Sequence, residues 1–246
     1  MCAWENRKHF KIRIAGLTVE VNDLYDVVRC RCADYIVMDD EPAQLTIGGD
    51  EAAVRKAQQW FLDEEGAEVS MGEAEFACIA HPMYPQLTRF GALWLHASVL
   101  EMEGAAYAFT APSGYGKSTH AQLWLEAFGD RTRIINGDNP ILREMDGVFH
   151  AFGTPFCGKE GKQVNTGVPL RGICFLRHAQ ENRIDRIDPA AALTLLFRSN
   201  TRVTPDTLEA HLRLYERLVE KVPVYVLHCN MDVGAAYVAW EGMRPR

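Results

Sequence analysis

The run Ala111-Pro112-Ser113-Gly114-Tyr115-Gly116-Lys117-Ser118-Thr119 constrains this chain more than any other stretch. It matches the phosphate-loop pattern GxxxxGK[ST], with Ala111 where the first glycine usually stands. An apolar strand, Ala105 to Phe109, leads into it, and a helix from about Lys117 to Phe128 leaves it and stops at Gly129. Strand, loop and helix in that order commit the chain to an α/β core. Gly114 and Gly116 let the backbone turn several N–H groups inward onto phosphate oxygens, and the helix that follows adds the positive end of its dipole. Lys117, expected at an exposed loop–helix junction, can bridge the β- and γ-phosphates, and the Ser118 hydroxyl can hold Mg²⁺. The bland alternative is a connection that needs glycine only to turn. The complete Gly-x-Gly-Lys-Ser-Thr run behind an apolar strand argues instead that Ser113 to Thr119 binds the phosphates of ATP. Ala111 is a mild departure, because its position serves the turn.

Composition narrows the partners. The 246 residues carry 26 Lys and Arg against 33 Asp and Glu, a net charge of −7, so non-specific nucleic-acid binding is not expected. The 7 cysteines form no CxxC pair, and Cys30 and Cys32 are too close for a zinc half-site. Met1 to Lys11 is polar, which predicts no signal peptide, and no apolar run approaches the ~20 residues of a membrane span. The expectation is a reduced, cytoplasmic protein that is not embedded in a membrane.

A change of pattern near residue 90 divides the chain. Residues 1–90 read as a β-rich layer with one helix. Phe10, Ile12, Ile14 and then Leu17, Val19, Val21 alternate on either side of Gly16. Tyr35 to Met38 and Gln44 to Ile47 are further strands, and Asp50 caps a helix carrying Val54, Ala57 and Phe61 on one face before Gly66. Residues 91–246 hold the phosphate-loop domain. Leu93 to Met102 reads as one strand, turned by Glu103-Gly104 into the strand before the loop. Thr132 to Asn136 follows the helix, and Asp146-Gly147 joins Ile141–Met145 to Val148–Phe152 as a hairpin. Leu170–Leu176 and Arg183–Ile187 are strands. Asp188-Pro189 and Thr204-Pro205 open helices, Val224–Leu227 is a last strand, and a short helix ends before Gly242.

A phosphate loop needs an acid near the metal, commonly at the end of a neighbouring strand. Ile134-Ile135-Asn136-Gly137-Asp138 offers Asp138, as base or metal ligand. Asn136-Gly137-Asp138-Asn139-Pro140 is also a good turn sequence in its own right. His96 alternates within an apolar strand and reads equally as a core histidine or a site residue. Lys159 and Lys162 lie in a glycine-rich loop, where they either hold an acceptor's phosphate or are simply solvated. Cys157 receives no nucleophilic role.

His96-Ala97-Ser98, the hairpin into Ala111–Thr119, and Asn136 to Pro140 together resemble the HPr kinase/phosphorylase family, and more narrowly its small bacterial serine- and peptide-kinase relatives. Gly153 to Gly161, Val168-Pro169-Leu170 and Glu181-Asn182-Arg183-Ile184 resemble the same relatives. The resemblance covers about Leu93 to Gly242, and over the first ninety residues only the β-rich character agrees. It implies a PEP-carboxykinase/HPr-kinase-like core and an ATP- and Mg²⁺-dependent kinase acting on a hydroxyl of a small protein or peptide. Residue by residue, it implies ATP phosphates on Ser113, Gly114, Tyr115, Gly116, Lys117, Ser118 and Thr119. It makes Asp138 one of a pair of acids that serve as base and metal ligand, puts His96 near the transferred phosphate, and brings Glu160 into the metal shell with Ser118. The family's first acid is replaced here by Gly137. Either Asp138 does both jobs, or Glu160 shares them, or transfer is slow or absent, which leaves open a nucleotide-binding regulator or a small-metabolite kinase. Related kinases assemble into rings, so a homo-oligomer is also open.

Overall fold

The computed structural model of the chain describes residues 9–158, 161–199 and 203–244. It is a mixed α/β fold. Two compact units adjoin in sequence between Tyr84 and Pro85.

In the first unit, β1 (Phe10–Ile14) and β2 (Leu17–Asn22) form the hairpin that the alternation predicts. Phe10, Ile12, Ile14, Leu17, Val19 and Val21 are all buried. The helix α1 (Asp26–Arg31) follows, then β3 (Ile36–Val37), β4 (Leu45–Gly48), α2 (Glu51–Glu65) and α3 (Met71–Cys78). The sheet order is β3-β1-β2-β4, with β4 parallel to β2. Asp50 caps α2 by accepting from the Ala52 N–H. The single helix expected for this region is α2; α1 and α3 are additional. Both are short, and α3 is half apolar all round, so neither shows a helical stripe. The signal for α3 lies in its cap: Ser70 and Glu73 form a reciprocal capping box. Glu75 of α3 is fully buried and accepts from the N–H groups of Leu24 (2.8 Å) and Tyr25 (2.9 Å). Burial pushes its carboxyl up, against the pull of those two N–H groups.

The second unit contains β5 (Ala92–Trp94), β6 (Ala97–Met102), β7 (Ala105–Thr110), α4 (Lys117–Phe128), β8 (Thr132–Asn136), β9 (Ile141–Met145) and β10 (Val148–Phe152). It continues through β11 (Gly167–His178), β12 (Arg183–Arg186), α5 (Pro189–Ser199), α6 (Leu208–Lys221), β13 (Val224–Cys229) and α7 (Gly234–Met243). The sheet runs β5-β9-β10-β11-β7-β6-β8, and β13 pairs with β11 beyond the end of β10. At its centre β7, β11 and β13 are parallel.

Alternation along β7 feeds two cores. Ala106 and Ala108 face a layer that includes Leu196, Leu214 and Tyr215 of α5 and α6. Tyr107 and Phe109 face Trp124 of α4 and Trp240 of α7. With both faces covered, the strand is apolar throughout, as central parallel strands are.

Three expectations change. Leu93–Met102 is two strands: β5 pairs with β9, while β6 pairs with β7 and β8. At the break the Leu95 N–H donates to Pro140 O (3.3 Å) and the Ala97 N–H to Asp138 O (3.0 Å). The chain switches neighbours there because the loop after β8 supplies the acceptors. The strand expected over Leu170–Leu176 is longer at both ends, since β11 runs from Gly167 to His178. Gly242 lies inside α7, where a Cβ would stand 2.4 Å from Ile184 Cγ2; it serves close packing there. Among the described residues, no helix is long and apolar enough to cross a membrane.

Candidate functional site

The register of three strands assembles the site. In β6 and β7, Ala97 lies opposite Thr110, and in β6 and β8, Val99 lies opposite Asn136. The start of β6, the end of β7 and the end of β8 therefore share one edge of the sheet. His96 precedes the first, the phosphate loop follows the second, and Asp138 follows the third.

Within the loop, Gly114 (φ 76°) and Gly116 (φ 88°) occupy the left-handed region that side chains resist. The Tyr115 N–H donates to Pro112 O at 3.2 Å and closes the turn. Gly116 ends the loop at the start of α4, whose first N–H groups have no intrahelical acceptor. Ser118 is exposed. Lys117 is buried, only 7% exposed, contrary to the exposed junction expected from sequence. Its Nζ tucks beneath the loop and donates to Ala111 O (3.1 Å) and Pro112 O (3.5 Å). Burial lowers the Lys117 pKa, and the negative charge of Asp138 opposes that shift.

Asp138 is held from two sides. His96 Nε2 lies 3.0 Å from Asp138 Oδ1, and Asn139 Nδ2 donates to Asp138 Oδ2 at 2.8 Å. Its loop is a turn built by Asn136, whose Oδ1 accepts from the N–H groups of Asp138 (2.9 Å) and Asn139 (2.7 Å). The turn reading and the site reading thus apply to the same residues. Asn136 is fully buried and donates to Thr154 O at 3.0 Å, while the Thr154 hydroxyl donates to Asn139 O at 2.8 Å. Ser98 Oγ donates to Gly137 O at 2.8 Å. Trp94 Nε1 donates to Asn139 Oδ1 (2.8 Å), and its ring stacks on His96 with centroids 6.2 Å apart and planes within 5°. Gly158 (φ 77°) brings backbone against the acid: a Cβ there would stand 3.1 Å from Asp138 Cβ. Cys157 is buried, and its thiol lies 2.8 Å from Gln163 Oε1.

Lys117, Asp138 and His96 thus come together beside Ser113–Thr119. Glu160 and Lys159 lie outside the described residues. Among those described, no three His, Cys, Asp or Glu side chains are grouped to hold a metal ion. Mg²⁺ commonly takes one or two protein oxygens and completes its shell with phosphates and water, so an exposed Ser118 hydroxyl and Asp138 suit it once a nucleotide is present. Sequence reasoning did not find Trp94, Asn139 and Thr154, which fix the position of Asp138. They lie 44, 1 and 16 residues from it, and only the folded sheet brings the first and last near.

No curated protein matches the chain. Among solved structures, the Hpr(Ser) kinase/phosphatase from Coxiella burnetii is similar at 10% identity, over 61% of this chain and 89% of that one, with a TM-score of 0.36. A likeness that weak carries no argument about activity. A family model described as SynChlorMet cassette protein ScmC matches residues 63–235, well over half of the 246. On that match, the chain belongs to the ScmC family of SynChlorMet cassette proteins.

Proposed function

We propose that this protein is an ATP-dependent kinase that transfers the γ-phosphate to a hydroxyl, a Ser or Thr side chain of a small protein or peptide. The observation that carries the reading is the meeting of a phosphate loop, a buried lysine and a clamped carboxylate at one sheet edge. The N–H groups of the loop and of the first turn of α4 would hold the phosphates. Lys117 would stabilise the charge that develops on them. An ionised carboxylate has about four lone-pair sites. His96 and Asn139 each engage one oxygen of Asp138, which leaves it able to take the proton from an attacking hydroxyl. His96, steadied by Trp94, would hold that carboxylate in place. Mg²⁺, held by Ser118 and Asp138, would neutralise phosphate charge.

A nucleotide-binding regulator with little transfer activity is the second reading, and Gly137 favours it, since the resemblance puts an acid there. A Cβ at Gly137 would stand 3.3 Å from Cys157 O, so the backbone is close on that side.

Incubation with γ-labelled ATP, Mg²⁺ and a panel of peptide and small-protein acceptors tests the kinase. Asp138→Asn should cut transfer by about 10²–10⁴-fold while ATP still binds. Bound ATP with no label transferred over the whole panel would favour the regulator, and wild-type turnover in Asp138→Asn would end the catalytic assignment.

A further inference from the structure

A strand at the edge of a sheet offers unpaired N–H and C=O groups, and proteins commonly blunt such edges by shortness, charge, proline or a cover. The edges of this protein are treated unequally. β3 has 2 residues and β5 has 3. β8 carries Arg133, and its end is covered, because the Val164 N–H donates to Ile135 O and the Gly137 N–H to Lys162 O, both at 3.0 Å. β12 carries Arg183, Asp185 and Arg186. β4, Leu45-Thr46-Ile47-Gly48, has none of these devices. It pairs with β2 without a register shift and with no other described strand.

The hydrogen-bond pattern shows which groups of β4 are open. Gly48 lies opposite Asn22, and Asn22 O accepts from the Gly49 N–H, one residue further on. In a parallel ladder the same relation recurs every second residue, so Glu20, opposite Thr46, bonds to Leu45 and Ile47. Thr46 and Gly48 therefore turn their own N–H and C=O groups away from β2, and both residues are exposed. Leu45 and Ile47 anchor the strand with buried side chains. Gly48 puts no side chain at the open edge, which lets another backbone come close.

Charge narrows the occupant. Residues 1–84 carry 8 Lys and Arg against 16 Asp and Glu, whereas residues 85–246 carry 18 against 17. Beside β4, Glu20 lies opposite Thr46, with His9 at 3.8 Å as its described ion-pair partner. Exposed Asp50 and Glu51 follow the strand, the latter 3.5 Å from Arg55. The cations of β1 turn elsewhere: Lys11 Nζ donates to Glu41 O at 2.7 Å, and Arg13 pairs with Asp39 and Glu41. Edge-to-edge pairing of two copies would bring two acidic units together, so a second copy does not suit this edge.

We propose that β4 is a docking edge for an extended, basic segment of a partner polypeptide. The segment adds to the four-stranded sheet as one more strand, and its backbone bonds the open groups of Thr46 and Gly48. Its alternate residues lie on the two faces of the sheet. Apolar or β-branched side chains share the face of Leu45 and Ile47, and Lys or Arg side chains share the face of Thr46 and Glu20. The inference concerns the first unit alone and stands apart from the phosphate-loop reading.

An end-blocked octapeptide of alternating Lys and Val is the probe, read by amide exchange and chemical shifts of the ¹⁵N-labelled whole chain at low salt. Binding should slow exchange at Thr46 and Gly48 and weaken as salt rises. Thr46→Pro removes an open N–H and leaves the β2 ladder intact, so it should weaken the peptide at least about fivefold. A peptide with Glu in place of Lys should bind at least about tenfold more weakly. The Lys peptide N-methylated at every amide keeps its charge but donates no backbone bond, and it should not bind; this arm holds even where Thr46→Pro fails to fold. No protection of Thr46 and Gly48 up to about 1 mM peptide overturns the proposal. So does full affinity in Thr46→Pro, or equal binding of the Glu or the N-methylated peptide. A concentration-dependent dimer in sedimentation that Thr46→Pro dissolves would give the edge to a second copy and overturn it as well.

Discussion

Acid should unfold this protein through His120. The imidazole is enclosed by Phe109 and Trp124, and burial lowers its pKa from 6.5 to about 3. The unfolded chain takes up a proton near pH 6.5, whereas the folded chain refuses it until about pH 3. Between those values the unfolded state binds more protons, so stability is full above pH 6.5 and declines as pH falls through that window. The whole shift corresponds to about 5 kcal/mol at most, and lowering the pH from 7.5 to 5 draws on about 2 kcal/mol of it. Urea denaturation at the two pH values, followed by tryptophan fluorescence, measures the loss. His120→Gln cannot titrate in this range and should lose about 2 kcal/mol less than the wild type over the same interval. His211, whose pKa burial also lowers, acts in the same direction but is present in both proteins and cancels. Equal losses in wild type and variant would refute the argument.

Other substitutions test other parts. Lys117→Met keeps a buried stem and removes the ammonium. Its stability should change by less than about 2 kcal/mol while ATP affinity falls at least about tenfold, and unchanged affinity in a calorimetric titration would contradict the role given to Lys117. Glu75→Ala strands the N–H groups of Leu24 and Tyr25 and should destabilise the first unit by about 2–4 kcal/mol, read from hydrogen exchange of β1 and β2. Gly137→Ala pushes a methyl toward Cys157 O and should cost about 1–3 kcal/mol in thermal unfolding; a neutral outcome would show that the loop after β8 yields easily. Trp94→Phe keeps a ring over His96 but loses the bond to Asn139. It should lower kcat with little change in the KM for ATP, and an unaltered kcat would remove Trp94 from the support of Asp138.

The parts of the fold that sequence conveyed are those with short-range chemistry. Gly114, Gly116 and Lys117 mark the loop, Glu103-Gly104 and Asp146-Gly147 mark their hairpins, and Asp50 and Gly66 bracket α2. The break at Leu95–His96 leaves no mark because every residue from Ala92 to Leu95 is buried, as all of β6 but Glu101 is, and a change of partner strand leaves no trace in hydropathy. The same limit applies within the site. The proximity of Asp138 to the loop followed from strand, loop, helix, strand. Its contacts with His96 and its support from Trp94 and Thr154 depend on registers between distant segments. The burial of Lys117 was missed because a lysine after glycine, opening a helix, reads as surface.

The register that builds the site also bears on the order of folding. β6, β7, α4 and β8 are consecutive, from Ala97 to Asn136, and β6 is paired on both sides by members of that run. Their contacts close short loops, whereas β7 must await β11, some sixty residues later, and β11 must await β13. Short closures cost less entropy and form sooner. The phosphate loop and the strand that leads to Asp138 should therefore gain protection in pulsed hydrogen exchange before the β11–β13 pair does, so that the phosphate end of the sheet is shaped before its β11–β13 side exists.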